Sequence, residues 1–279
     1  DSTVFFGAYR AVYALDAATG EKQWQFETGD SVLSAPTVVR DTLYIGCLDQ
    51  FIYALNTSTG NLKWKFETGR DVFSSPTVFG GTVFVGSLDN NLYALNASTG
   101  EKQWQFKTES NVYSSPTVHA GTVFFGSDNV YALDAETGKI QWHSDNCGYV
   151  FSSPTIADGT VFVGSQDSNV YALDGETGEK KWQFETGSRI HSSPIVVDGT
   201  VYIGSYDGNV YALEADISGS SEGSRVMLGT LNHHGESRYA DQSIESNEDD
   251  TFSWLGAGGT AAGLGTAGYL YHRHRRSTD

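Results

Sequence analysis

The sequence predicts an all-β fold, a β-propeller of four-stranded antiparallel blades with about six repeats of roughly 40 residues, the first and last incomplete. Three observations predict it. Five tryptophans, Trp24, Trp64, Trp104, Trp142 and Trp182, stand 40, 40, 38 and 40 residues apart. All five prolines, Pro36, Pro76, Pro116, Pro154 and Pro194, keep the same spacing, so two independent markers run in step. No stretch of useful length carries the 3.6-residue periodicity of an amphipathic helix.

The repeat 72–111 divides into four short strands. The first falls around Pro76–Phe79. The turn Gly80-Gly81 leads to the second, Thr82–Ser87. The turn Leu88–Asn91 leads to the third, Leu92–Asn96, and Ala97–Gly100 leads to the fourth, Glu101–Thr108. The strands are rich in β-branched and aromatic residues, and their boundaries are Gly, Asn or Asp, which tolerate positive φ in hairpin turns. Proline cannot donate to a ladder, so it belongs at a strand start or on an edge. The innermost strand of a blade is such an edge, which places the Ser-Pro segments near the axis. The step of 38 is a two-residue deletion in the loop Ser127-Asp128-Asn129. The first repeat supplies strands two to four, four full repeats follow, and the last supplies strands one to three. The count is twenty-two strands, two fewer than six closed blades need.

Five of the hairpins between third and fourth strands share the pattern A-x-D/N-x-x-T-G-x-x-x-W. The first is Ala14, Asp16, Thr19, Gly20 and Trp24; the others run Ala54–Trp64, Ala94–Trp104, Ala132–Trp142 and Ala172–Trp182. The pattern resembles the tryptophan-docking motif of quinoprotein-type (PQQ-like) β-propellers and covers residues 4–214. The chain is also similar to the BamB-like propeller of the outer-membrane assembly lipoprotein. The resemblance implies that Trp24, Trp64, Trp104, Trp142 and Trp182 are structural, each ring leaning from an outermost strand onto the next blade. It also implies seven or eight blades, so the ring is unfinished as it stands, with open edges that invite pairing. In the last repeat Ala212-Leu213-Glu214 continues without a tryptophan, and the apolar stretch Val226–Leu231 is a candidate for the missing outer strand.

The composition suits such a fold. Hydrophobic residues make up 39% and aromatics 13%, with 32 glycines for tight turns. The formal charge is -17. Residues 1–216 hold 26 acids and 12 bases, and 217–279 hold 8 acids and 5 bases. This balance repels nucleic acid. With only 8 lysines it also fits a salt-adapted, haloarchaeal type of surface. Cys47 and Cys147 give neither a disulfide framework nor a zinc spacing. The chain opens into a strand without an initiator Met or signal peptide, so an upstream part is expected.

Quinoprotein dehydrogenases of this resemblance imply a catalytic carboxylate, a calcium site and two adjacent cysteines beside the quinone. No adjacent cysteines are present. The prominent carboxylates, Asp49, Asp89, Asp128, Asp167 and Asp207, recur in the turn between the second and third strands, as turn residues do and a catalytic residue does not. His119, His143 and His191 share no metal spacing, and His143-x-Asp145-x-Cys147 matches strand alternation as well as a metal site. The expectation is no catalytic residue, no metal and no cofactor, with PQQ and calcium belonging only to the alternative reading of a dehydrogenase or its remnant. The sequence Gly256-Ala257-Gly258-Gly259-Thr260-Ala261 mimics a dinucleotide fingerprint but lacks the βαβ unit that motif requires.

The candidate binding surface is the channel mouth. Leu33, Phe73, Tyr113, Phe151 and His191 precede Ser34, Ser74, Ser114, Ser152 and Ser192 just before each Pro, and aromatics beside hydroxyls suit a peptide or small ligand. Blade-to-blade packing explains the same pattern. Beyond residue 216 the composition changes. Residues 217–251 read as a flexible acidic, Ser- and Gly-rich linker. Residues 252–271 carry no charge and are long enough to span a bilayer core, with Trp254 at one end and Tyr269 and Tyr271 at the other. Residues 272–279 form a basic tail, which places the C-terminus in the cytoplasm and the propeller outside the cell. The sequons Asn56-Thr57-Ser58 and Asn96-Ala97-Ser98 agree with that side. The resulting expectation is a non-catalytic, membrane-tethered scaffold that binds a protein or peptide.

Overall fold

The computed structural model describes residues 2–215. The expected linker, membrane span, basic tail and candidate strand Val226–Leu231 lie outside the described residues. Blade 1 holds β1 (Thr3–Ala8), β2 (Ala11–Asp16) and β3 (Lys22–Glu27). Blade 2 holds β4 (Thr37–Val39), β5 (Thr42–Gly46), β6 (Phe51–Asn56) and β7 (Leu62–Glu67). Blade 3 holds β8 (Thr77–Phe79), β9 (Thr82–Ser87), β10 (Asn91–Asn96) and β11 (Lys102–Lys107). Blade 4 holds β12 (Thr117–His119), β13 (Thr122–Gly126), β14 (Val130–Asp134) and β15 (Ile140–His143). Blade 5 holds β16 (Thr155–Ala157), β17 (Thr160–Gly164), β18 (Asn169–Asp174) and β19 (Lys180–Glu185). Blade 6 holds β20 (Ile195–Val197), β21 (Thr200–Gly204) and β22 (Val210–Glu214). Strand order in every sheet is sequence order, and each pairing is antiparallel. The two end sheets have three strands, as the repeat count requires. In the repeat 72–111 each strand boundary falls within one residue of the expectation.

The hairpins follow from their turn residues. Between β12 and β13, Ala120 and Gly121 have φ of 48° and 78°, the paired positive values of a two-residue turn whose twist matches the flanking strands. The hairpin between third and fourth strands is held by one acceptor. Asn96 Oδ1 accepts from Thr99 N at 3.0 Å, and Asp16, Asn56, Asp134 and Asp174 do the same. In each of these five hairpins the register shifts between the third-strand Ala and the following Leu, for instance between Ala54 and Leu55. A bulge there turns the outer strand and sets a small Ala opposite the large Trp.

The core lies between blades. Strands β9 and β10 are buried almost end to end, whereas β7 alternates Lys and Glu outward with Trp64 and Phe66 inward. Val12, Ala14 and Trp24 of blade 1 pack against Leu43, Ile45, Tyr53 and Leu55 of blade 2. The same positions meet at the later boundaries, with Phe84, Leu92 and Ala94 against Val123, Phe125, Tyr131 and Leu133. Inner strands β4, β8, β12, β16 and β20 lie side by side in that order. They are tied by hydrogen bonds that run from blade to blade. Thr37 Oγ1 donates to Pro76 O at 2.6 Å, Thr77 to Pro116 O at 2.6 Å and Thr117 to Pro154 O at 2.7 Å. Ser75 N donates to Ser115 Oγ and Ser115 N to Ser153 Oγ, both at 2.9 Å. Proline at the axis therefore lends its carbonyl to the neighbouring blade, which a residue without an N–H does as well as any other.

Candidate functional site

Antiparallel order sorts the loops into two ends. Turns one-to-two and three-to-four share one end; turns two-to-three and the crossings from each fourth strand to the next first strand share the other. The first end repeats closely, with Thr-Gly closing five hairpins. The second end varies in chemistry. Residues 31, 71, 111, 149 and 189 are Ser, Asp, Asn, Tyr and Arg, and residues 33, 73, 113, 151 and 191 are Leu, Phe, Tyr, Phe and His.

Four of the second set form a continuous arc of rings at this end. The rings of Phe73 and Tyr113 are 5.5 Å apart, Tyr113 and Phe151 4.4 Å, and Phe151 and His191 5.0 Å. The structure therefore brings together the four aromatic residues singled out by sequence. It adds two that periodicity missed. Tyr206, from the turn between β21 and β22, meets His191 edge-on at 4.7 Å, and the Arg189 guanidinium lies 4.7 Å above the Tyr206 ring. Both depart from what stands at the equivalent positions of other blades, and that departure was the signal available. Leu33 at the start of the arc is 61% exposed and Tyr206 at its end 59%. His191 Nε2 is buried with no partner among the described residues. Burial first, and Arg189 second, hold its imidazole below the ordinary value, so it is neutral at pH 7.

The serines beside these rings have a different role. Ser74, Ser114 and Ser152 are fully buried. Their Oγ atoms accept from Gly86 N at 3.0 Å, Gly126 N at 2.7 Å and Gly164 N at 2.8 Å. Ser34 and Ser192 make the same bond to Gly46 and Gly204. Each hydroxyl locks the first segment of a blade to its second strand.

The tryptophans sit at blade boundaries. Trp24 Nε1 donates to Thr57 O at 2.8 Å, Trp64 to Ala97 O at 2.9 Å, Trp104 to Ala135 O at 3.2 Å and Trp142 to Gly175 O at 3.0 Å, in each case a turn carbonyl of the next blade. Trp182 packs with Val196, Val201 and Ala215 of blade 6. The carboxylates of the two-to-three turns are also engaged. Asp89 Oδ2 accepts from Gly69 N and Tyr93 OH, both at 2.6 Å, and its Oδ1 accepts from Asn91 N at 3.0 Å. Asp49 and Asp207 repeat the pattern with Gly29 and Tyr53, and with Gly187 and Tyr211. Asp167 and Asp128 accept from Tyr171 OH and Tyr131 OH. Asp49, Asp89 and Asp207 thereby join one blade's exit loop to the next blade's turn.

The residues present do not fit the quinone arrangement that the resemblance implies. Cys47 and Cys147 are buried in different blade boundaries. The Cys47 thiol, which burial pushes up to about 11, donates to Asp30 O at 3.2 Å. His143 Nδ1 lies 3.5 Å from Asp145 Oδ1, while Cys147 is buried. Among the described residues no group of three or more His, Cys, Asp or Glu side chains is arranged to hold a metal ion. No helix among them is long and apolar enough to cross a membrane.

Comparison with known proteins agrees with this architecture. The family described as outer membrane protein assembly factor BamB matches residues 8–126 and again 108–222. The crystal structure of BamB from Moraxella catarrhalis superimposes with a TM-score of 0.69 at 22% identity, covering 80% of this chain and 73% of that one. The computationally designed Ika8 protein gives 0.67 at 16% identity, covering 79% and 73%. Quinohemoprotein alcohol dehydrogenase from Comamonas testosteroni gives 0.64 at 16% identity, covering 73% of this chain and 50% of that one. No curated protein matches the sequence.

Proposed function

The chain belongs to the family described as outer membrane protein assembly factor BamB, and from that premise we propose that its propeller is a non-catalytic binding scaffold. Its partner is a protein or peptide that seats on the arc Phe73, Tyr113, Phe151, His191 and Tyr206. One observation carries this reading. Side chains that hold the blades together recur from repeat to repeat, whereas the arc reads Leu, Phe, Tyr, Phe and His in successive blades and residues 31, 71, 111, 149 and 189 beside it differ in every one. A scaffold needs identical joints, and a partner needs distinct contacts. Half-buried rings 4.4 to 5.5 Å apart offer rigid apolar area, and Arg189 supplies a charge at one end.

The proposal includes the setting: outside the cell, tethered by 252–271, with 272–279 in the cytoplasm. The uncharged run, its aromatic ends and the basic flank support it. Selection of extended peptides against the purified chain, followed by Tyr113→Ala and Phe151→Ala, tests the surface. Binding is expected to weaken about tenfold or more for each ring removed, with the melting temperature within a few degrees of the parent. Unaltered binding in both variants rejects the arc. The dehydrogenase reading draws on the likeness to the quinohemoprotein enzyme. Added PQQ and Ca²⁺ that produced a bound chromophore and dye reduction would overturn the non-catalytic reading.

A further inference from the structure

The outer edge of β22, away from the arc, has no neighbouring strand among the described residues. In blades 1 to 5 the third strand is covered by a fourth, whose Trp stands opposite an Ala; in blades 1, 2, 3 and 5 a Phe stands two residues beyond, and in blade 4 Ser144 does. Blade 2 pairs Ala54 with Trp64 and Ile52 with Phe66; blade 5 pairs Ala172 with Trp182 and Val170 with Phe184. The Trp ring also rests against an aromatic of the second strand. Phe5–Trp24, Tyr44–Trp64 and Phe84–Trp104 are 5.7 Å apart, and Phe124–Trp142 and Phe162–Trp182 are 5.8 Å apart.

Blade 6 keeps the receiving half of this arrangement. Ala212, Val210 and Tyr202 occupy the three positions, and among the described residues no strand lies beyond β22. Val210 is 74% exposed, where Val12, Ile52, Leu92, Val130 and Val170 are fully buried. Tyr202 is 41% exposed, where Tyr44, Phe84, Phe124 and Phe162 reach 4% at most. The ladder is open as well. Ser205 N donates to Asn209 O, so Asn209, Tyr211 and Leu213 take the bonds to β21. Antiparallel alternation then turns the N–H and C=O groups of Val210 and Ala212 outward.

We propose that this edge binds an extended segment of a partner protein as a fourth strand, antiparallel to β22. The segment carries Trp opposite Ala212, resting on Tyr202, and a large apolar residue, Phe in four of the five internal copies, opposite Val210. Five internal copies of the same edge, four covered by a Trp-x-Phe strand and one by Trp142-His143-Ser144, specify that chemistry. Its outward alternate residues are polar.

The probe is a labelled peptide with the sequence of residues 101–108, titrated into the full chain and followed by fluorescence anisotropy. Saturable binding is expected. It should weaken at least tenfold for the peptide with Trp104→Ala, and at least tenfold for the chain carrying Ala212→Pro, which removes only an outward N–H. Tyr202→Ser provides a second variant that leaves the backbone intact, and circular dichroism checks that both variants fold. No binding, or binding that neither variant changes, overturns the proposal. So does a concentration-dependent dimer abolished by Ala212→Pro, which would assign the edge to a second copy. Slow exchange of the Val210 and Ala212 amides in the peptide-free monomer would assign it to this chain's own residues beyond 215 and overturn the proposal equally.

Discussion

At the scale of the residue, one pairing of Asp and Tyr repeats inside each of blades 2 to 6. The Tyr93 hydroxyl donates to Asp89 Oδ2 at 2.6 Å. Burial, then the hydrogen bond to Asp89 and its negative charge, raise the Tyr93 phenol above its ordinary value of 10.0, and Tyr53, Tyr131 and Tyr171 are raised in the same order of causes. The sign follows from linkage. A group whose folded pKa is raised contributes stability that is complete below its unfolded value and is lost as pH climbs towards the folded one. Tyr93→Phe should therefore cost about 1 to 3 kcal/mol at pH 7, the range for a hydrogen bond to a charged acceptor. The gap between variant and parent should narrow above about pH 10. Urea unfolding of both proteins at pH 7 and pH 11 checks this, and a gap of constant size would contradict it. The recurrence of Asp49, Asp89, Asp128, Asp167 and Asp207 marked them as turn residues in the sequence. Their tyrosine partners, three or four positions on, were not read, because a Tyr in a strand reads equally well as core.

At the scale of the element, the unit is a Trp seated on the next blade's turn glycine. Gly100 has φ of +75°, and a Cβ there would lie 2.6 Å from Trp64 Cδ2. Gly20 has nearly the same φ, +72°, but nothing stands within 4 Å of its would-be Cβ. The pair separates backbone strain from ring displacement. Gly20→Ala should cost only the left-handed penalty, about 1 to 2 kcal/mol. Gly100→Ala should cost that and the unseating of Trp64, about 3 to 5 kcal/mol in total by the scale of aromatic core losses. Equal losses in denaturant titrations of the two variants would mean that the ring tolerates displacement. Strand existence and bounds were legible because Trp, Pro and Gly recur at fixed offsets. The burial of Ser74, Ser114 and Ser152 was not. Two adjacent serines look alike in sequence, and only the fold shows that the first bonds within its own blade and the second accepts from the preceding one.

At the scale of the molecule, the described blades form a one-dimensional array, and the residues that link neighbours change in its first and last inner strands. Thr37, Thr77, Thr117 and Thr155 each donate to the next blade's proline carbonyl, whereas the equivalent residue in blade 6 is Ile195. Ser75, Ser115, Ser153 and Ser193 each accept from the preceding blade, whereas blade 2 has Ala35. Each replacement stands where the neighbouring inner strand is missing among the described residues. In such an array the stability of a blade is the sum of its own term and its interfaces. Blades 2 to 5 have an interface on each side, and the outer strand of each is present. Among the described residues blade 6 has one interface, and Ile195, Val197, Tyr202 and Val210 are exposed on its other face. Local opening should therefore be graded along the chain. Native-state hydrogen exchange is expected to be slowest in β9, β10, β13 and β14 and fastest in β21 and β22, with β1 and β2 between. The Gly100→Ala change should speed exchange in blades 2 and 3 while leaving β17 and β18 near the parent rate. Uniform protection across all six sheets would instead mean a single cooperative unit, in which the missing interfaces at the ends carry no free-energy penalty of their own.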